Sequence, residues 1–140
     1  MTGRSFVDTN VIVYLFDDGE PAKQERARRL IADPDSPPLV VSTQVLSECY
    51  VTLTRKLEHT LDLPTARVAI ERLGQWPVVQ TDTALVLAAI ETSEQQRLSL
   101  WDAMIIEAAA AADCKRLLTE DLQHGATIRG IQIENPFRSL

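Results

Sequence analysis

Histidine and cysteine are scarce in this chain, with two of each in 140 residues. Cys49 and Cys114 have no Cys or His nearby at ligand spacing, which excludes a disulfide framework and a zinc site and leaves two reduced, small apolar side chains. His59 and His124 stand far apart in polar stretches, so no Ser-His-Asp or Cys-His arrangement can be assembled. Glycine is also sparse: residues 3, 19, 74, 125 and 130 never form a phosphate-cradling loop, which argues against dinucleotide binding. No apolar run approaches the ~20 residues that span a bilayer, and Thr2, Arg4 and Asp8 make the N-terminus polar, so no membrane association and a cytoplasmic location are expected. Aromatic residues make up only 5%, and Trp76 and Trp101 are read as packing groups. An excess of basic charge is lacking too. With a net charge of -6 and a pI near 4.9, the chain has no global attraction to phosphate backbones. A nucleic-acid ligand would need a local basic patch or a bound cation.

What is present is 45% hydrophobic residues with charges scattered throughout, which fits a globular chain read as one domain over residues 1–140. Strands are expected at Ser5 to Val7, Leu39 to Val41, Val78-Val79, Arg116 to Leu118 and Ile131 to Ile133. Between them lie helical patterns. Thr9 or Asn10 caps a short helix to Phe16, and Pro21 opens the next. Ser42 or Thr43 caps one reaching about Lys56, and Pro64 opens one that ends before Gly74. Thr81 or Asp82 and then Ser99 cap the last two. Strands alternating with helices predict an α/β fold of three α/β/α layers around a parallel sheet of four to five strands.

In such a sheet, helix N-termini gather at the carboxyl edge of the strands, where ligands bind. Asp8 follows the first strand, Glu48 lies early in the helix after the second, and Asp102 is in the first turn of the helix before the fourth. Asp121 lies just beyond that strand. All four acids map to one edge. Asp8, Asp102 and Asp121 can each also be explained as helix caps or dipole partners. Glu48 lies beyond the first turn, where capping no longer applies. On a helical wheel Asp102 projects between Ile105 and Ile106, inside the apolar stripe, and a carboxylate there needs a partner. Four carboxylates brought together repel one another unless a divalent ion neutralises them, and an all-oxygen set points to Mg²⁺ or Mn²⁺.

The segments Phe6-Val7-Asp8-Thr9-Asn10, Ser47-Glu48, Leu100-Trp101-Asp102-Ala103 and Leu118-Thr119-Glu120-Asp121 resemble the four acidic motifs of PIN-domain nucleases. More narrowly, the chain is similar to the toxins of VapBC-type toxin-antitoxin pairs over nearly its whole length, including the ending Ile133-Glu134-Asn135-Pro136. The resemblance implies a metal-dependent endoribonuclease. Asp8, Asp102 and Asp121 would hold the metal, and Glu48 would orient the attacking water or help hold a second ion. Asn10 and Thr119 would fix the carboxylates as donors behind them. It also implies an RNA substrate, a small cognate antitoxin that covers the acidic site, and a homodimer built on helices around residues 43 to 57 or 64 to 73. Two rivals stand beside this reading. One is a non-catalytic interaction module with the same fold. The other is an aspartate-nucleophile phosphatase, disfavoured because Asn10 occupies the place of its second acid.

Overall fold

The computed structural model describes residues 3–140. Its centre is a six-stranded sheet in the order β3-β2-β1-β4-β6-β5. The strands are β1 (Arg4–Val7), β2 (Leu39–Ser42), β3 (Val78–Val79), β4 (Cys114–Leu118), β5 (Thr127–Ile128) and β6 (Ile131–Glu134). β1 pairs in parallel with both β2 and β4. Successive residues in a strand face opposite sides of the sheet, yet Phe6 and Val7 are both 0% exposed, so β1 is covered on both faces.

Six helices supply that cover: α1 (Thr9–Val13), α2 (Pro21–Ala32), α3 (Thr43–Val51), α4 (Leu63–Leu73), α5 (Thr83–Gln96) and α6 (Leu100–Ala111). A 3-10 turn, Tyr14–Phe16, extends α1, and a π-helical turn, Thr52–Lys56, extends α3. The chain first walks outward from β1 through β2 to β3, then α5 and α6 carry it back to β4 on the other side of β1. Right-handed crossovers therefore place α1 to α4 on one face and α5 with α6 on the other. The core joins the two faces through Val11, Ile12, Val45 and Cys49 on one side and Ile105, Ile106 and Ala109 on the other. Among the described residues no helix is long and apolar enough to cross a membrane. Cys49 and Cys114 are both free and buried.

The α/β architecture agrees with the sequence reading, as does a parallel sheet of five strands, β3-β2-β1-β4-β6; a sixth strand was not expected. The additional strand, β5, is antiparallel to β6. Its two residues, Thr127 and Ile128, show no alternation and lack the wholly apolar pair that marked the equally short β3. The hairpin is closed by Arg129 and Gly130 at φ 54° and 76°, the pair of left-handed residues that a tight hairpin turn requires. Of the caps weighed for α1, Asp8 is the one found, its Oδ1 accepting from the Thr9 N–H at 2.7 Å, and not Thr9 or Asn10. The expected caps Ser42, Asp82 and Ser99 are found as such.

Candidate active site

The sheet order reverses direction between β1 and β4, and such a reversal opens a crevice at the carboxyl edge because the connections leave toward opposite faces. The acids flank that crevice. Asp8 leaves β1, and Thr119, Glu120 and Asp121 leave β4 directly beside it, with the Asp8 N–H donating to the Leu118 carbonyl at 3.0 Å. Glu48 approaches from α3 and Asp102 from the first turn of α6. Asp8, Glu48, Asp102 and Asp121 all line one groove of about 540 Å³.

Asp8 is the most enclosed of the four, at 6% exposed. Its Oδ2 accepts from the Thr119 hydroxyl at 2.9 Å and, at 3.4 Å, from the Asn10 amide. Burial in the crevice pushes its carboxyl up from the ordinary 3.8 to about 7, against the bonds from Thr119 and Thr9, and the charges of Asp121 and Glu48 push it further the same way. Burial likewise raises the Asp102 carboxyl; its bond with Ser99 opposes that, and the charge of Asp121 adds to it.

A small net of neutral donors ties Asp8 to Asp121. The Asn10 Nδ2 donates to Asp121 Oδ2 at 3.0 Å and to Thr119 Oγ1 at 3.2 Å. The Thr119 hydroxyl oxygen accepts from the Asp121 N–H at 3.1 Å, and Asn10 Oδ1 accepts from the Glu120 N–H at 3.3 Å. Thr9, which the sequence reading passed over as a site residue, donates its hydroxyl to Glu48 Oε1 at 3.1 Å. Beside the groove, Tyr14 donates to Glu120, and Lys23 reaches both Tyr14 Oη and Glu120 Oε2 at 3.1 Å. No single segment signals this cluster, since its members come from α1, α2, α3, the 3-10 turn and the segment after β4.

The donors suit a hard divalent cation: all are carboxylate oxygens, and one of them is a buried acid that lacks a cationic partner among the described residues. They are not a closed cage. Among the described residues no three acidic, His or Cys side chains stand close enough together to enclose an ion, although all four acids face the same groove. That is the arrangement Mg²⁺ tolerates, since it is held through one or two carboxylates and keeps several of its waters.

One expectation about a neighbouring residue changes. Trp101, read as a packing group, is 62% exposed on the groove.

The sequence model of the PIN domain matches residues 5–127. Among solved structures, the chain is similar to a toxin-antitoxin complex from Klebsiella pneumoniae, with 17% identity, a TM-score of 0.70 and coverage of 95% of this chain and 98% of that one. It is similar to VapBC2 from Rickettsia felis bound to a DNA fragment from the promoter, with 17% identity, a TM-score of 0.64 and coverage of 94% and 98%. It is also similar to Mycobacterium tuberculosis VapC20, described as a Sarcin-Ricin loop cleaving toxin, with 25% identity, a TM-score of 0.65 and coverage of 81% and 86%. No curated protein matches the chain.

Proposed function

The chain belongs to the PIN-domain family, and from that membership we propose that it is a metal-dependent endoribonuclease, the toxin of a toxin-antitoxin pair. The observation that supports this most directly is the convergence of Asp8, Glu48, Asp102 and Asp121, from four separate elements, on one groove at the point where the sheet reverses. The solved toxin-antitoxin structures that share the fold agree with it.

In this proposal Asp8 and Asp102 would be the principal ligands of a divalent ion, Mg²⁺ or Mn²⁺, with Asp121 completing its shell directly or through a water. When bound, the ion supplies an acidified water and offsets the charge that develops on the phosphoryl oxygens. The chain's own residues do the rest. Glu48, steadied by the Thr9 hydroxyl, orients the attacking water or helps to hold a second ion. Asn10 and Thr119 keep the carboxylates of Asp8 and Asp121 turned toward each other, so little reorganisation is needed as charge develops. The groove is open enough to admit a phosphodiester of a longer strand.

The partners follow from the same reading. An antitoxin would inhibit by covering the acidic groove with a basic side chain. A homodimer would use the exposed apolar residues Val51, Leu63 and Val68 of α3 and α4.

The direct test is Mg²⁺- or Mn²⁺-dependent cleavage of RNA by the purified protein and by Asp8→Asn and Asp102→Asn. Both variants are expected to fold and to lose cleavage. Equal cleavage by variants and wild type would overturn the site. A wild type that is inert on RNA, alone and freed of any antitoxin, would favour the non-catalytic module. Expression without antitoxin, followed by mapping of new RNA 5′ ends, would identify the RNA that is cut.

A further inference from the structure

Trp101 is the most conspicuous side chain that the fold does not use. It stands at the start of α6, one residue before Asp102. The following run Ala103 to Ala109 is buried, whereas the indole is 62% exposed. Burial of a tryptophan is among the largest apolar gains available to a chain, so an indole left in solvent beside a candidate catalytic groove calls for a ligand. Its backbone is tied across the groove, with the Trp101 carbonyl accepting a long 3.4 Å bond from Gln44 Nε2 of α3. The lining it shares mixes the polar side chains of Thr9, Asn10, Gln44, Ser47 and Thr52 with the apolar ones of Val13, Val51 and Ile105. Such a wall suits a flat ring that carries polar edges.

We propose that Trp101 is a stacking platform for an unpaired RNA base next to the scissile phosphate. This rests on the nuclease reading of the same groove. An aromatic face accepts any base, because every base has a π-face, and it binds without drawing on net charge. That matters in a chain of net charge -6, which gains little from the release of counterions. Lys56, which also lines the groove and has no carboxylate partner among the described residues, would meet the adjacent phosphate. An unpaired base is required because a base held in a duplex offers no free face to an indole at the groove wall.

The test uses the full-length protein and a short, unstructured RNA, with Ca²⁺ present to support binding with little turnover. Trp76 is the one other tryptophan and packs against the core, so Trp76→Phe leaves Trp101 as the only indole to report. RNA is expected to quench its fluorescence. Trp101→Ala is expected to weaken binding on the order of tenfold at every salt concentration, with the slope of log affinity against log salt unchanged. Trp101→Phe should recover most of the affinity. Lys56→Ala should instead make the slope shallower. Trp101→Ala binding as tightly as wild type, or RNA leaving the indole emission unchanged, would overturn the platform. So would a loss confined to self-association or to capture of a protein partner. Cleavage separates the two ideas: if wild type and Trp101→Ala cut RNA equally well in Mg²⁺, stacking falls and the nuclease reading stands. If wild type neither binds nor cuts RNA, both fall.

Discussion

The Thr119 hydroxyl, from the residue after β4, donates to Oδ2 of Asp8, the residue after β1, across 2.9 Å. Thr119 is fully buried, and the same oxygen accepts from the Asn10 amide and the Asp121 N–H. One hydroxyl therefore links three of the residues at the point where the sheet reverses.

Thr119→Val keeps the shape and removes that link. The Asp8 carboxylate then loses its closest side-chain donor, and a bond to a charged group is worth about 1.5–3 kcal/mol. Chemical denaturation of the metal-free protein at neutral pH should show a loss of that order. RNA cleavage should fall roughly 10- to 100-fold, as for other residues that hold a ligand from behind. Unchanged values in both assays would mean that Asp8 needs no support from β4.

Asp8 imposes a pH dependence of its own. Its folded-state value, about 7, lies above the ordinary 3.8, so the native state holds a proton that the unfolded chain releases. Its contribution to stability is full below about pH 4 and is lost as pH rises towards 7 and beyond, a change of at most about 4 kcal/mol. Asp8→Asn should flatten this part of the stability profile, measured without divalent ions. In wild type at pH 7.5, Mn²⁺ should raise the melting temperature, and in Asp8→Asn it should not.

Glu107 provides the opposite sign at a distance from the groove. It is 6% exposed, takes a two-pronged bond from Arg129 at 2.9 and 3.0 Å, and accepts from Thr92 at 2.7 Å. Burial alone would raise its carboxyl, but the bonds from Arg129 and Thr92 outweigh burial and hold it below the ordinary value. Its stabilisation is therefore present above about pH 4.5 and fades as pH falls. Glu107→Gln should lower stability at neutral pH by about 1–3 kcal/mol and narrow the gap to wild type in acid. A constant gap from pH 3 to 7 would count against the pair.

The exposed apolar residues of α3 and α4 are expected to be covered by a second copy of the chain. Light scattering at micromolar concentration should report a dimer, and Leu63→Asp combined with Val68→Asp should give a folded monomer. A wild type that is monomeric under these conditions would rule this interface out.

The order of elements was legible because each signal is local. Leu39-Val40-Val41 reads as a buried strand from three consecutive residues, and Ser42, Asp82 and Ser99 announce helices that begin within a residue or two. The acids could be placed at one edge because helix starts must gather there in a parallel sheet. β5 was not legible, since Thr127-Ile128 lacks the wholly apolar pair that marked the equally short β3, Val78-Val79, and Gly130 alone did not distinguish a hairpin from a loop. Trp101 was misjudged for a related reason: a helical wheel shows which face a residue is on, and the first residues of a helix can project past the end of the core.

The amino-acid sequence by itself determined the α/β alternation, the capped helices and the presence of four acids at strand and helix ends, because propensity, periodicity and capping act over a few residues. Tertiary structure alone decided that β4 settles beside β1, that Asn10 meets Thr119 across 109 residues of chain, that Asp8 is enclosed enough for its carboxyl to rise to about 7, and that Trp101 stays in solvent. Desolvation and cross-strand hydrogen bonds sum contributions from segments remote in sequence. Their strength exists only once the sheet has chosen its strand order.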